Sequence, residues 1–331
     1  MFDDKVVLIT GGTGSFGQRF TGYLFEHHRP KKVIIFSRDE FKQHEMAKNF
    51  SESKYAIRFF LGDIRDKERL YRSFEGVDYV IHAAALKQVP AAEYNPFEAV
   101  KTNILGAQNI IDTAIDRGIK KVIALSTDKA VSPINLYGAT KLAMEKLFIA
   151  ANNYVGGKDT SFVLVRYGNV IGSRGSVIPL FNGMKNNGIK RFPITDERMT
   201  RFWITLDQGA ALVARAIEES VGGEVFVPKI PSMKILDLIK AISKDAEYEV
   251  VGIRPGEKIH ESLVSEDDGR NTIDAIEKYV ILPPFANGGN KYHRYTKFPR
   301  MSDGFSYRSD NNVQWLTVEE IEQFIKECGC E

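Results

Sequence analysis

The chain has 331 residues, 43% of them hydrophobic, enough for a sizeable core in one large domain or one domain plus a lobe. Lys and Arg total 45 against 43 Asp and Glu, a net charge of +2 without the basic excess expected of a nucleic-acid binder. No apolar run approaches the roughly 20 residues of a membrane span, and Met1 leads within a few residues into a strand-like run that leaves no room for a secretory signal. The expected location is therefore the cytosol, with no membrane or nucleic-acid partner.

The first half alternates two patterns. Lys5-Thr10, Lys32-Ser37, Ile57-Gly62, Val77-Ala84, Lys121-Thr127 and Ser161-Tyr167 are short runs rich in Val, Ile and Phe, as expected of strands buried on both faces. Between them lie helical spacings. Ile104, Ala107, Ile110, Ile111, Ala114 and Ile115 mark one apolar stripe, with Gly118 where a helix stops. This alternation predicts an α/β fold with a doubly wound parallel sheet.

After Gly168 the rhythm loosens. A strand is expected at Glu224-Pro228, a helix at Ile235-Ser243 and a long loop from Pro283 to Phe305. A last helix begins at Thr317, where Thr317 and Glu320 form a capping-box pattern. Residues 1–168 are read as a dinucleotide-binding domain. Residues 169–331 are read mainly as a smaller substrate-binding lobe over the carboxyl ends of the strands, with some segments returning to the first domain. The only cysteines, Cys328 and Cys330, have no histidine nearby and make a poor metal set; no metal is expected.

Two stretches carry the chemistry. The first is the glycine run after the first strand. Gly11, Gly14 and Gly17 fit G-x-x-G-x-x-G, and Gly12, Gly14 and Gly17 fit G-x-G-x-x-G. A glycine motif alone is weak, but here it lies between a strand and a helix. That context lets a pyrophosphate approach backbone N–H groups of the run, including Thr13, Ser15 and Phe16, at a helix N-terminus.

At the end of the second strand Ser37 and Arg38 precede Asp39, and Lys42 lies one turn beyond Arg38. A small hydroxyl and a guanidinium suit a 2′-phosphate, so NADP is favoured; the alternative is a solvated Arg38 with Asp39 on the ribose. Asp63 and Ile64 close the third strand, where a carboxylate can accept the adenine amino group. Ala83, Ala84 and Ala85 let a cofactor lie against the backbone, and Lys87 faces cofactor or substrate. His82 reads as a hydrogen-bonded core histidine rather than a base.

The second stretch is Ser126-Thr127-Asp128-Lys129, followed by Tyr137 and Lys141 on one face of a predicted helix. A free tyrosine, with a pKa of about 10, is a poor base. A nearby ammonium and a positive nicotinamide favour the phenolate, which can then take a hydroxyl proton. Lys141 would also hold the nicotinamide ribose. The plain alternative for Asp128 and Lys129 is a surface ion pair. Their place between a core strand and the tyrosine helix speaks against it.

These stretches resemble the extended short-chain dehydrogenase/reductases that act on nucleotide sugars, over nearly the whole length. The family carries a Rossmann sheet with a smaller C-terminal lobe. Many dehydratases of that superfamily have Asp-Glu after the strand-five threonine, where this chain has Asp128-Lys129. The Ser-Thr-Asp-Lys form, with Asn135-Leu136-Tyr137-Gly138-Ala139-Thr140-Lys141, Arg166-Tyr167-Gly168-Asn169-Val170, Gly172-Ser173-Arg174-Gly175-Ser176-Val177, Thr195-Asp196 and Met199-Thr200-Arg201-Phe202-Trp203, resembles the inverting UDP-N-acetylglucosamine 4,6-dehydratases. Those enzymes begin pseudaminic acid synthesis and form dimers or hexamers.

The resemblance implies a transient oxidation at C4, loss of water across C5 and C6, and reversal of the oxidation at C6, with NADP retained. It assigns Tyr137 to the C4 hydroxyl, Thr127 to the C4 oxygen, Lys129 as base at C5 and Asp128 as acid at the C6 hydroxyl. It further places Asn169, Val177, Thr195, Met199 and Arg201 along the nucleotide site, Arg254 on phosphate and Glu257 on ribose. The plain alternative for the last two is an ion pair with each other. A dehydratase that retains C5 or releases a 5,6-ene, a C4 epimerase, and a non-catalytic NADP-sensing protein are the competing readings. The epimerase needs no acid–base pair, and the sensor no complete Tyr-x-x-x-Lys.

Overall fold

The computed structural model describes residues 1–172, 177–284 and 290–327. Ser173 to Ser176 of the Gly172–Val177 stretch, and Cys328 and Cys330, lie outside the described residues.

The β-branched runs form parallel strands β1 (Val6–Thr10), β2 (Lys32–Ser37), β3 (Ile57–Leu61), β4 (Tyr79–His82), β5 (Lys121–Thr127) and β6 (Ser161–Tyr167). Val7, Val33, Val80, Val122, Val163 and Val165 are fully buried, as expected of a sheet covered on both faces. Among the described residues this sheet has nine strands. Their order is Thr272–Asp274, Lys278–Ile281, Val225–Pro228, β6, β5, β4, β1, β2, β3. Chain order reverses between β1 and β4, and the crevice above their carboxyl ends is where such sheets take ligands.

The second half thus contributes three strands to the central sheet. Val225–Pro228 runs parallel to β6, and the last two strands complete the edge in antiparallel fashion. The rest builds a separate apolar cluster containing Phe181, Phe192, Trp203, Leu238 and Ile321. A three-stranded sheet of Ser232–Lys234, Thr200–Ile204 and Asn169–Val170 leads to it from the central sheet.

Helix boundaries follow the sequence signals closely. The apolar stripe forms the helix Gly106–Arg117, ended by Gly118, but Ile104 lies in a π-helical turn at Lys101–Leu105 that precedes it. The helix Ile235–Ile242 ends at Ser243, its C-cap. At the last helix, Val318–Glu327, the capping box forms: Thr317 Oγ1 accepts the Glu320 N–H and Glu320 Oε2 accepts the Thr317 N–H.

The Pro283–Phe305 segment differs from a plain loop, since Asn290–Tyr295 is a 3-10 helix. Its cause is burial of two tyrosines whose hydroxyls find acceptors. Tyr292 donates to the Gly222 carbonyl at 2.7 Å and Tyr295 to Glu224 Oε1 at 3.1 Å. Among the described residues no helix is long and apolar enough to cross a membrane.

Candidate active site

A cleft of about 720 Å³ lies above the carboxyl ends of the sheet. The glycine run forms one wall, with Gly11, Thr13, Gly14, Ser15, Phe16 and Gly17 all facing it. Gly14 is the N-cap of helix α1 (Ser15–His27), brings no capping side chain, and the first turn carries no carboxylate. The helix therefore presents its positive end to the cleft, which suits a pyrophosphate. Gly11 has φ +64°, and a Cβ there would lie 2.8 Å from the Ala84 backbone. Loop and β4 end meet so closely that only glycine fits.

Ser37, Arg38, Lys42, Asp63, Ile64, Ala83, Ala84, Ala85 and Lys87 continue the cleft wall. Asp39 also borders it, but its carboxylate is engaged. It accepts the Lys42 N–H at 3.0 Å, capping helix α2 (Glu40–Asn49), and pairs with Lys42 Nζ at 3.0 Å. Arg38 is 63% exposed, and its guanidinium reaches Asp63 only at a long 3.8 Å. Asp63 is itself held by Arg65, whose backbone N–H and guanidinium it accepts at 2.8 to 3.0 Å, so an adenine amino group would share that carboxylate. The residues present fit a dinucleotide with an exposed guanidinium at its ribose end. His82 is buried, 2.8 Å from Thr10 Oγ1 and stacked on Phe148, and burial and then Lys141 lower it to about 3. It stays neutral, as a core histidine does.

At the end of β5, Thr127, Lys129, Tyr137 and Lys141 line the same cleft. Asp128 sits just behind it, with its side chain 1% exposed. Thr127 caps the short 3-10 turn Asp128–Ala130. Its hydroxyl donates to Asp128 Oδ1 at 2.8 Å, and Lys129 Nζ donates to the same oxygen at 3.1 Å. Tyr137 and Lys141 lie on the helix Leu136–Ala151, whose N-cap Asn135 accepts the Gly138 N–H at 2.8 Å.

The electrostatics of these groups are unequal. Burial works against the charge on Lys129, but Asp128 and Glu261 outweigh it and raise the amine above its ordinary value. Burial pushes the Tyr137 phenol up to about 12, while Lys129 pulls it down. Burial lowers Lys141 to about 8 against the pull of Glu145, and its Nζ donates to the Leu125 carbonyl at 2.6 Å. Lys129 is thus a cation that acts on the phenol in the resting site. Asp128 and Lys129 form an ion pair at 3.1 Å, and the raised amine keeps its proton on Lys129.

The substrate side divides. Asn169 lines the cleft, and its Oδ1 is buried with no hydrogen-bond partner among the described residues. Thr195, Arg201 and Glu257 form a cluster of their own. Glu257 accepts the Thr195 hydroxyl at 3.0 Å and lies 3.6 Å from Arg201, which also donates to the carbonyls of Thr200, Lys258 and Ile259. Met199 is buried and Val177 begins the helix Val177–Asn186. Arg254 is exposed and has no ion pair among the described residues; it does not take up the pairing with Glu257.

Two buried carboxylates have no role in the sequence reading. Glu145 accepts Ser126 Oγ at 2.5 Å and a bidentate Arg166 at 2.7 and 3.0 Å, tying the end of β5 to the tyrosine helix. Its position one turn after Lys141 on an apolar face is the signal that could have found it. Glu261 faces Lys129 at 3.5 Å, and no local spacing announces that contact. Among the described residues no cluster of three or more His, Cys, Asp or Glu could hold a metal.

The polysaccharide biosynthesis protein family matches residues 7–283. The inverting UDP-N-acetylglucosamine 4,6-dehydratase of Campylobacter jejuni serotype O:2 is 53% identical over 330 residues, covering 98% of each chain. A Rickettsia typhi protein named UDP-glucose 4-epimerase is 46% identical over 333 residues, covering 98% of this chain and 96% of its own. The solved structure of Pen from Bacillus thuringiensis superposes over the whole of both chains, with a TM-score of 0.90 and 38% identity. The chain belongs to the polysaccharide biosynthesis protein family, with a short-chain dehydrogenase/reductase fold and a close likeness to inverting UDP-N-acetylglucosamine 4,6-dehydratases.

Proposed function

We propose that this chain is an NADP-dependent UDP-N-acetylglucosamine 4,6-dehydratase that inverts C5. Its product would be UDP-2-acetamido-2,6-dideoxy-β-L-arabino-hexos-4-ulose. The observation that carries this reading is the Asp128–Lys129 pair, joined at 3.1 Å, with Lys129 lining the cleft beside Thr127 and Tyr137 and Asp128 just behind it. The likeness to the C. jejuni dehydratase supports the substrate and the inversion. Exposed Arg38, with Asp39 committed to its own helix, supports NADP over NAD.

When bound, the nicotinamide supplies the temporary oxidation at C4 and its reversal at C6. The glycine run holds its pyrophosphate and Lys141 its ribose. Tyr137 takes the C4 hydroxyl proton. Lys129, as the free amine, removes the C5 proton acidified by the C4 ketone, and Asp128, as the acid, protonates the departing C6 hydroxyl. Each such group contributes about 10²–10⁴-fold. Arg201, Thr195, Glu257 and Arg254 are assigned to the UDP moiety. The same reading carries an opening step of pseudaminic acid synthesis, a cytosolic location, a dimer or hexamer, and a division into domains near residue 168.

The second reading is C4 epimerisation, favoured by the name of the Rickettsia relative. Epimerisation leaves Asp128 and Lys129 without a task. Turnover of UDP-N-acetylglucosamine in D2O, followed by NMR, decides between them. The expected product is a 6-deoxy-4-ketose with deuterium at inverted C5. A 4-epimer, a product retaining C5, or a released 5,6-ene would each replace this reading with the corresponding one.

A further inference from the structure

Glu261 is 2% exposed, yet its carboxylate faces two cations, Lys129 and Arg201. Its Oε1 lies 3.5 Å from Lys129 Nζ and 3.8 Å from Arg201 Nε, while its Oε2 is buried with no hydrogen-bond partner among the described residues. Its backbone is pinned: Glu261 N–H donates to Ser309 Oγ at 2.9 Å, and Ser309 N–H donates to the Glu261 carbonyl at 2.8 Å. A buried carboxylate with one oxygen unsatisfied is costly, and a packing role would be served better by an uncharged side chain.

We propose that Glu261 is a positioning residue for Lys129, seating its amine against Asp128 and keeping one proton on the Asp128–Lys129 pair. This rests on the dehydratase reading for its use, though not for its test. Elimination needs Lys129 as amine and Asp128 as acid; the resting pair holds the same single proton on Lys129. Moving it across the 3.1 Å contact breaks an Nζ–H bond and forms an Oδ1–H bond, with no outside partner. Loss of that proton to solvent would leave no acid for the C6 hydroxyl.

The groups facing Lys129 decide how firmly the proton is kept. Asp128 and Glu261 hold it, Arg201 opposes them, Lys87 and Lys258 repel it more weakly, and Tyr137 is neutral. Of the two anions, Asp128 is the proton's other seat. Glu261 lies outside the pair and faces Lys129 at 3.5 Å. Its charge also favours the ammonium within the pair, a bias that Arg201 beside the same oxygen offsets.

The test is competitive acetylation of the full-length, cofactor-saturated protein with trace acetic anhydride across the alkaline range, with Lys129 followed by mass spectrometry. Exposed lysines such as Lys48 serve as internal controls. In Glu261→Gln, Lys129 labelling at a given pH is expected to rise at least about tenfold, equivalent to about one pH unit. In Glu261→Asp, which keeps the charge but draws it back, a smaller rise of about two- to threefold is expected. In turnover, the alkaline limb of kcat should fall to lower pH in Glu261→Gln, with KM little changed. Unchanged Lys129 labelling in whichever of the two variants folds overturns the proposal, as does an equal rise in both. Labelling needs no substrate. Variants that label as stated, beside a wild type that leaves UDP-N-acetylglucosamine untouched, would sink the dehydratase reading and leave the Glu261–Lys129 coupling standing.

Discussion

Asn135 donates its side-chain amide to the Gly256 carbonyl at 2.7 Å and accepts the Gly138 N–H with its other side-chain atom at 2.8 Å. One residue therefore caps the helix that carries Tyr137 and Lys141 and also fixes the turn between Arg254 and Glu257. Gly256 has φ +77°, and a Cβ there would lie 2.8 Å from Asn135 Cβ. Asn135→Ala loses the cap, costing about 0.5–2 kcal/mol of stability. Gly256→Ala strains the turn by about 1–2 kcal/mol and pushes it off Asn135. Both variants are expected to raise the Kd for the UDP-sugar several-fold while the Kd for NADP stays within about twofold, since strain of this size stays local to the turn. Calorimetric titration of each ligand checks this. Equal weakening of both ligands would mean that the turn does not belong to the sugar-nucleotide side.

Arg38 is the test of cofactor choice. A charge-assisted hydrogen bond to a phosphate is worth about 1.5–3 kcal/mol, so Arg38→Ala should weaken NADP binding about ten- to a hundredfold. NAD has no 2′-phosphate and its affinity should hardly move. Asp39→Ala is expected to destabilise α2 through its lost cap without altering the preference. Fluorescence titration of both cofactors against both variants measures these outcomes. An unchanged NADP preference in Arg38→Ala would shift the discrimination elsewhere.

The strands, the glycine run and the Tyr137–Lys141 face were legible because each depends on residues close in sequence. Period-two and period-3.6 patterns and a turn of glycines report local geometry directly. Asp128 and Lys129 were legible for the same reason, being adjacent at a strand end. Glu261 was not. It reaches Lys129 only because the strand that follows it, Ser262–Val264, pairs with Tyr307–Arg308. The strands Thr272–Asp274, at the sheet edge, and Lys278–Ile281, beside it, were hidden by their shortness and their charged ends. Lys278 is buried there against Glu219 at 2.8 Å. Likewise the 3-10 helix around Tyr292 and Tyr295 exists because distant acceptors, Gly222 and Glu224, receive the two hydroxyls.

Lys141 gives a pH-dependent prediction whose sign is fixed by its burial. Burial lowers its folded-state value to about 8 from an ordinary 10.5, against the opposing pull of Glu145. Below about pH 8 both folded and unfolded chains carry the proton, so the full cost of burying an ammonium is felt. Between about 8 and 10.5 the unfolded chain binds a proton that the folded chain lacks, and stability rises with pH across that window. Lys141→Met removes this cost and forfeits the hydrogen bond to the Leu125 carbonyl, worth about 1 kcal/mol. The variant should lose activity yet be more stable than wild type at pH 7, by about 1–3 kcal/mol. The difference should shrink as pH rises toward 10. Urea unfolding of the cofactor-free proteins at a series of pH values measures it. A difference that grows with pH would show that the folded protein stabilises the ammonium after all, and that Glu145 outweighs burial at this site.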